Sequence, residues 1–414
     1  MTFREAEEYL LSLELFGMRF GLDRMHRLMT VLGLPQRRFA SIHVVGTNGK
    51  SSTVRFCAAI LERHGLRTGS YTSPHLRSFR ERIEVGEEPV SEADFAAAVE
   101  RAAQAAELVN RTEAPDDRVT QFEALTAAAY HELARRGVEV AVVEAGLGGR
   151  FDATNVIPSK VQALTSVGLE HTRWLGPTLA DIAEEKLAVV RDHGTLVVGP
   201  LDPDSAAAAE RVGAERNATL VRAPVDAGVP LRAPGSFQRQ NFALALAAAE
   251  AFVGPGALGA ETIAAAAGQT TIPGRVEIVA EQPLTVYDGA HNPAGARALA
   301  ESLDDVLEQR RPRVAVIGVL EDKDAAAMLN ELLPRVDRVV YTRSQNPRSL
   351  SPGTLGSLAE KLGGPPSEAV SDPRAAVARA RELAGPDGAV LATGSIYLIA
   401  DLVRADPDRR ASML

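Results

Sequence analysis

Ser41-Ile42-His43-Val44-Val45-Gly46-Thr47-Asn48-Gly49-Lys50-Ser51-Ser52-Thr53 leads from an apolar strand candidate through two glycines into a helix candidate at 54–64. A strand, a glycine turn and a helix in that order open a doubly wound α/β fold. Gly46 and Gly49 let backbone N–H groups approach a phosphate, and the N-terminus of the next helix favours negative charge. Lys50 can bridge to terminal phosphates, and the hydroxyls beside it can reach a magnesium ion. The general P-loop keeps about four residues between its glycines, whereas Gly46 and Gly49 enclose only Thr47 and Asn48. The same string also fits a Gly-Asn turn feeding an ordinary helix.

Outward from this turn, strand candidates recur at 138–144, 161–167 and 195–199, with alanine-rich helical spacing at 92–109 and 122–135. Ala and Leu at that density favour helix, and Gly137 stops one of the two. The alternation predicts a largely parallel sheet flanked by helices. A softer stretch rich in Pro, Gly and Ala covers 201–235, and a helix at 242–252 leads on to a strand at 284–287. The rhythm then resets into a smaller α/β unit with strands at 314–318, 338–342 and 389–393. With 414 residues, two domains are expected. The predicted fold class is α/β: a P-loop, doubly wound, mostly parallel domain over 1–280 and a smaller Rossmann-like domain over 284–414. The boundary falls near Glu281-Gln282-Pro283. Ligands are expected at strand C-termini and in the cleft between the domains. The polar end, 406–414, is expected to fray.

Composition narrows the function. The chain is 45% hydrophobic and 24% charged, ordinary for a globular protein with ample core. No run approaches the ~18 apolar residues of a membrane span. The opening MTFREAEEYLLSLELFG mixes acidic with apolar residues, as an amphipathic helix does and a signal peptide does not. The single cysteine, Cys57, excludes an intrachain disulfide framework and fits a reducing cytoplasm. A net charge of −9 argues against nucleic-acid or anionic-membrane partners, so any phosphate ligand needs a local site.

Five further motifs follow, four of them at predicted strand ends or helix starts. Glu144 closes an apolar strand before Ala145-Gly146-Leu147-Gly148-Gly149-Arg150-Phe151-Asp152, where it suits magnesium as a hard-oxygen ligand; a Gly-rich turn with a solvated Glu is the alternative. In Gly168-Leu169-Glu170-His171-Thr172, His171 can meet a metal or phosphate, or simply lie exposed. Lys186, in Asp181-Ile182-Ala183-Glu184-Glu185-Lys186, reads from its local context as a solvated charge on a helix face. In Tyr287-Asp288-Gly289-Ala290-His291-Asn292-Pro293, Asp288 can accept from ribose hydroxyls and His291 can face phosphate, although a tight Asp-Gly turn fits as well. Arg275, in Pro273-Gly274-Arg275, offers a planar fork for phosphate oxygens, or a surface charge beside a turn. Trp174 and Cys57 read as packing or rim residues. His26, His43, His64, His131 and His193 lack metal-ligand spacing.

IHVVGTNGKSS, YTSPHL, VTQFEALTAAAY, VEAGLGGRFDATNVI, GLEHT, EKLAVV, QRQNFALA, PGR, DGAHNP and TGSIYL occur in this order. Together they resemble the bacterial folylpolyglutamate synthase/dihydrofolate synthase family of the Mur ligase superfamily, over nearly the whole chain from Gly21 to Ala400. The resemblance implies an ATP-binding Mur-ligase-type domain followed by a C-terminal glutamate-ligase domain. Gly49, Lys50, Ser51 and Ser52 would hold ATP phosphates, while Ser73, Glu144 and His171 would ligate magnesium. Asn241 would meet adenine, with Arg275 on phosphate and Asp288 on ribose. Thr120, Gln121, Phe122 and Glu123, with Phe151, Asp152 and Ala153, would line the pterin-bearing substrate's pocket. Lys186 falls where the family often carries a carbamylated lysine, which would make Lys50, Glu144, His171 and Lys186 the catalytic set. His291 and Ser395 would lie near the incoming glutamate. Three departures stand beside these positions: Ser51 where the family usually has Gly, Glu170 where it usually has Asp, and Leu187-Ala188-Val189 where Ala-Gly-Ile is common.

The activity so implied is ATP- and magnesium-dependent addition of L-glutamate to a folate or dihydropteroate carboxylate through an acyl phosphate, by a cytoplasmic monomer. Two rival functions are another Mur-superfamily amino-acid ligase and a P-loop module that uses nucleotide as a switch without ligation.

Overall fold

The computed structural model describes residues 1–13, 21–112 and 117–404. The first sheet has eight strands: β1 (Ala40–Val45), β2 (Thr68–Tyr71), β3 (Ile83–Val85), β4 (Glu88–Pro89), β5 (Val140–Glu144), β6 (Val161–Leu164), β7 (Thr195–Val198) and β8 (Thr219–Arg222), in spatial order β4-β3-β2-β5-β1-β6-β7-β8. All neighbours are parallel except β2–β3 and β3–β4. The chain leaves β1 for β2 on one side, returns to β5, then crosses to β6, β7 and β8 on the other. That reversal flanks β1 and opens a crevice at the C-terminal ends of β1, β5 and β6, where ligands of such sheets collect.

Both faces of this sheet are covered, so its central strands β5 and β6 are buried along their whole length instead of alternating. Val140 and Val142 face the helices Lys50–Arg63 and Ser236–Val253, where Phe56 meets Phe242 edge-on at 5.2 Å. Ala141 and Val143 face Phe3–Ser12, Glu92–Asn110 and Gln121–Arg135, where Phe3 packs on Phe95 at 5.7 Å. The helix after the glycine turn begins at Lys50, four residues before its expected start, because Gly49 at φ 86° already breaks the strand direction.

The second sheet holds β9 (Glu277–Glu281), β10 (Leu284–Tyr287), β11 (Arg313–Ile317), β12 (Arg338–Tyr341), β13 (Ser367–Ala369) and β14 (Ala389–Thr393), in order β13-β12-β11-β14-β10-β9. Only the β9–β10 pair is antiparallel. The boundary expected near Glu281-Gln282-Pro283 is corrected here: those residues turn the β9–β10 hairpin, so the change of sheet comes before Glu277. The soft stretch 201–235 is also more ordered than expected, since it holds the helix Pro203–Glu215 and the edge strand β8. The expected fraying of 406–414 lies outside the described residues.

A loop joins the two layers. Leu76, just beyond β2 in the first domain, is buried in the second domain's core beside Val314, Val316 and Ile399. Among the described residues, no helix is long and apolar enough to cross a membrane.

Candidate active site between the two sheets

Lys50 starts its helix beside the C-terminal end of β1, and its ammonium donates back to the Thr47 carbonyl at 3.1 Å. A side chain at Gly49 would overlap Asn241 Oδ1, so the turn and the helix Ser236–Val253 meet at backbone distance. Asn241 itself donates to Gln238 at 3.0 Å. Asn241, expected to meet adenine, thus lies against the phosphate-binding turn.

Glu144 ends β5 beside this turn and is 2% exposed. Its Oε1 accepts from the Ser51 hydroxyl at 3.0 Å and its Oε2 from the Ser73 backbone N–H at 3.1 Å. Burial raises its pKa, while the charges of Lys50 and Arg275 and the two hydrogen bonds pull the other way. Lysine, carboxylate and arginine therefore converge on one place from β1, β5 and the segment before β9. Asp288, 3% exposed, braces that segment: its oxygens accept from Val276 N at 3.0 Å and Ala290 N at 2.7 Å. A Cβ at Gly289 would come within 2.7 Å of Arg275 Nη1, so only glycine lets the guanidinium lie there.

Lys186 is not the solvated face charge its local sequence suggests; it is 4% exposed and donates to the Gly46 carbonyl at 2.9 Å. Gly149 lies against the carbonyls of Glu185 and Lys186, which lets the Gly-rich loop seat this helix end. Burial, with the Lys50 charge adding to it, lowers the Lys186 ammonium to about 7.

Glu170 gathers the rest. Lys323 donates to its Oε1 at 2.6 Å and Asn292 to its Oε2 at 3.2 Å, with His291 Nε2 at 3.5 Å and His171 Nε2 at 3.7 Å from Oε1. Burial works to raise this carboxyl, but the His291 hydrogen bond, with the charges of His291 and Lys323, holds it well below the usual carboxylate range. His171, at the surface edge, is lowered to about 4 by desolvation, with Lys323, Lys50 and Lys186 acting in the same sense against Glu170. It is a neutral imidazole at neutral pH, the form that can give a lone pair to a metal.

Magnesium suits part of this donor set. Glu144 and the adjacent Ser51 hydroxyl are hard-oxygen donors, as that ion requires. Among the described residues no three His, Cys, Asp or Glu side chains group closely enough to hold a metal by themselves. The ion would draw its remaining ligands from phosphate oxygens and water, its usual habit beside nucleotides.

The expected substrate-pocket residues divide by what their side chains already do. Thr120 caps the helix Gln121–Arg135, Gln121 donates to the Leu10 carbonyl at 2.7 Å, and Glu123 is paired with Arg24 at 3.1 Å. Asp152 caps the short turn Ala153–Val156 and accepts from Leu147 N at 2.8 Å, and Ser395 caps the helix Ile396–Val403. Phe122, half-buried, has its ring against Gly146, and Phe151 is 41% exposed beside the same loop. Ala153 is buried. Sequence reasoning missed Asn48, Asn292 and Lys323 as site residues. Lys323 carried one faint signal: Glu321-Asp322-Lys323-Asp324 is a charged run soon after an apolar strand.

The Mur ligase, glutamate ligase domain family profile matches residues 274–396. The folylpolyglutamate synthase of Lacticaseibacillus casei is 33% identical over 96% of this chain and 97% of its own. The chain belongs to the folylpolyglutamate synthase/dihydrofolate synthase family. A probable bifunctional folylpolyglutamate synthase/dihydropteroate synthase of Haloferax volcanii is 34% identical over 97% of this chain, which spans 50% of that longer protein. The solved Mycobacterium tuberculosis folylpolyglutamate synthase complexed with ADP superposes with a TM-score of 0.90 at 31% identity, covering 99% of each chain. Family membership makes this folylpolyglutamate synthase-type chain an ATP-dependent ligase that joins glutamate to a folate-type carboxylate.

Proposed function

We propose that the crevice between the sheets binds ATP, a folate or dihydropteroate carboxylate and L-glutamate, and joins the last two in two displacements. A carboxylate oxygen of the folate-type substrate attacks the γ-phosphorus and ADP leaves. The glutamate amine then attacks the acyl carbon, inorganic phosphate leaves, and the nitrogen loses its proton. The observation that carries this reading is the convergence of Lys50, Glu144 and Arg275 from three separate segments on one crevice.

Each group has work suited to its place. Gly49, Ser51 and Ser52 present the turn to the phosphates, and Lys50 and Arg275 offset the charge that develops during transfer. Asn241, Asp288 and His291 complete the nucleotide side. Magnesium would be held by Glu144, Ser73 and His171, and supplies positive charge on phosphate oxygens when bound. Phe122, Phe151 and Ala153 offer the pterin-bearing substrate apolar surface, with Thr120, Gln121, Glu123 and Asp152 fixing the backbone around them. The neutral amine of Lys186 is the form that adds carbon dioxide, and the resulting carbamate would place an anion beside the Gly46 carbonyl for a second magnesium ion. Ser395 lies toward the incoming glutamate. The first domain carries nucleotide and folate, the C-terminal domain presents glutamate, and the enzyme works as a cytoplasmic monomer.

The test is incorporation of labelled glutamate with dihydropteroate and tetrahydrofolate as separate acceptors, with ADP release followed in parallel. Lys50→Ala should abolish both signals while circular dichroism stays native. ADP release independent of acceptor and glutamate would instead support the switch-module reading.

A further inference from the structure

Glu170, in the first domain, accepts hydrogen bonds from two segments of the second. Its carboxylate belongs to the loop after β6. Lys323 lies in the loop after β11, 153 residues away, and Asn292 in the loop after β10, 122 residues away. Asn292 in turn exchanges two hydrogen bonds with Asn48 of the phosphate-binding turn, at 3.1 and 3.0 Å. Asn292 is 3% exposed and the side chains of Glu170 and Lys323 are each 11% exposed, so water replaces little of this network.

We propose that Glu170 is a positioning residue that sets the register of the two domains over the nucleotide. It holds Lys323 and Asn292 of the C-terminal domain against Asn48 of the turn that carries Lys50. The inference rests on the ligase reading only for its kinetic readout. Glu170 also lies 3.7 Å from His171 and 3.5 Å from His291; the role proposed for it is exerted through the loops it ties. A hydrogen bond is lost when its partners separate by about 1 Å beyond contact distance, so the network exists only at this domain spacing. Glutamate has the reach that the place requires. Glu170→Asp would withdraw the carboxylate by roughly one C–C bond, about 1.5 Å, taking it out of range of Lys323 unless the domains approach further.

A plain surface ion pair would behave differently. Its loss would leave turnover unchanged, or weaken every ligand alike through lost stability. A register device, by contrast, keeps the nucleotide's contacts with the first domain, so affinity falls less than turnover, which needs both domains to meet the acyl phosphate. Lys323→Met and Glu170→Gln should then give equal losses, and the double variant no further loss, because either change breaks the same connection.

The experiment measures kcat, KM for ATP and KM for glutamate in Glu170→Gln, Glu170→Asp, Lys323→Met and the Glu170→Gln/Lys323→Met pair, with Kd for a non-hydrolysable ATP analogue. The expected result is a loss in kcat of roughly tenfold or more in each single charge-removing variant, which corresponds to ~1.4 kcal/mol, with analogue affinity changed less than about threefold. The double variant should match the singles, and Glu170→Asp should fall between wild type and Glu170→Gln. Additive losses, unchanged kcat, or affinity falling in step with kcat would overturn the proposal. So would a rise confined to KM for glutamate in Lys323→Met, which would assign the lysine to substrate. If a variant fails to fold, or if wild type incorporates no glutamate, small-angle scattering of wild type and Glu170→Asp with the analogue decides. A compaction in wild type that Glu170→Asp alters supports the register role, and identical profiles overturn it.

Discussion

Gly49 tolerates no side chain for two separate reasons: its φ is 86°, and a Cβ would overlap the amide oxygen of Asn241. Gly49→Ala must therefore tilt the turn or push the helix Ser236–Val253 away. Nucleotide binding should weaken by roughly tenfold or more, ~1.4 kcal/mol, as calorimetric titration with an ATP analogue would show. Lys186 couples stability to pH. Burial brings its folded pKa to about 7 from an ordinary 10.5. Above about 7 the folded amine is neutral while the unfolded one keeps its proton, so the unfolded state binds more protons and stability rises with pH toward 10.5. Below about 7 both states are protonated and the contribution is gone. Lys186→Met should flatten that rise in urea-unfolding titrations. Bicarbonate should activate the wild type more strongly as pH rises through about 7, and should leave Lys186→Met unaffected. Lys50 and Glu144 were legible in the sequence because each stands at the end of an apolar strand, with a glycine turn as local punctuation. Lys186 was legible only through resemblance, since one lysine on a charged helix looks like any solvated charge. The Glu170–Lys323 contact carried no local signal, because its partners lie 153 residues apart.

At the scale of elements, the apolar strands β1, β5, β6, β7, β10, β11, β12 and β14 were readable from hydrophobic runs alone. The strand β2 was not: Thr68-Gly69-Ser70-Tyr71 has little hydrophobicity, yet it is buried between β5 and β3 and ends at the loop that carries Ser73 and Leu76. The edge strands β4, β8 and β13 are short and partly exposed, so they show neither an apolar run nor clean alternation. Thr120 and Glu123, expected beside the substrate, also form the capping box that starts the helix Gln121–Arg135, a local role the same motif encodes. His43, in the middle of β1, ties that strand to stability in acid. It is fully buried, accepts or donates at 2.8 Å with Thr154 Oγ1, and burial with the Arg191 charge lowers it to about 3. Its folded pKa is depressed below the unfolded 6.5, so its contribution is complete above 6.5 and is lost as pH falls toward 3. His43→Gln should make acid unfolding between those limits less steep, as tryptophan fluorescence or circular dichroism would record; an unchanged acid limb would show that other groups govern it.

At the scale of the whole molecule, the alternation of strands and helices predicted two α/β layers, but not where one ends. The β9–β10 hairpin reads as a linker because Glu281-Gln282-Pro283 is polar and holds a proline, whereas in the structure it is a tight turn inside the second sheet. Nor could a linear pattern show that the ends of β1, β5 and β10 face one another. That arrangement has a consequence for ligand binding. A ligand bound only to the folded state stabilises it by about 2.7 kcal/mol at a hundred times its Kd, and the elements that contact it share the gain. If nucleotide sat on the phosphate-binding turn alone, protection would be confined to the first sheet. Arg275 and the loop after β10 lie beside Glu144 and Asn48, so both sheets should share it. Hydrogen exchange with a saturating ATP analogue should slow peptides covering β1 and the Lys50 helix, and equally those covering β10 and its following loop. Leu76, buried in the second domain's core from the first, should be needed for that sharing. Leu76→Ala removes a buried side chain at a cost of about 2 to 5 kcal/mol, and should leave protection on the first sheet while reducing it on the second. Equal loss on both sheets would mean that Leu76 supports stability generally and does not couple the domains.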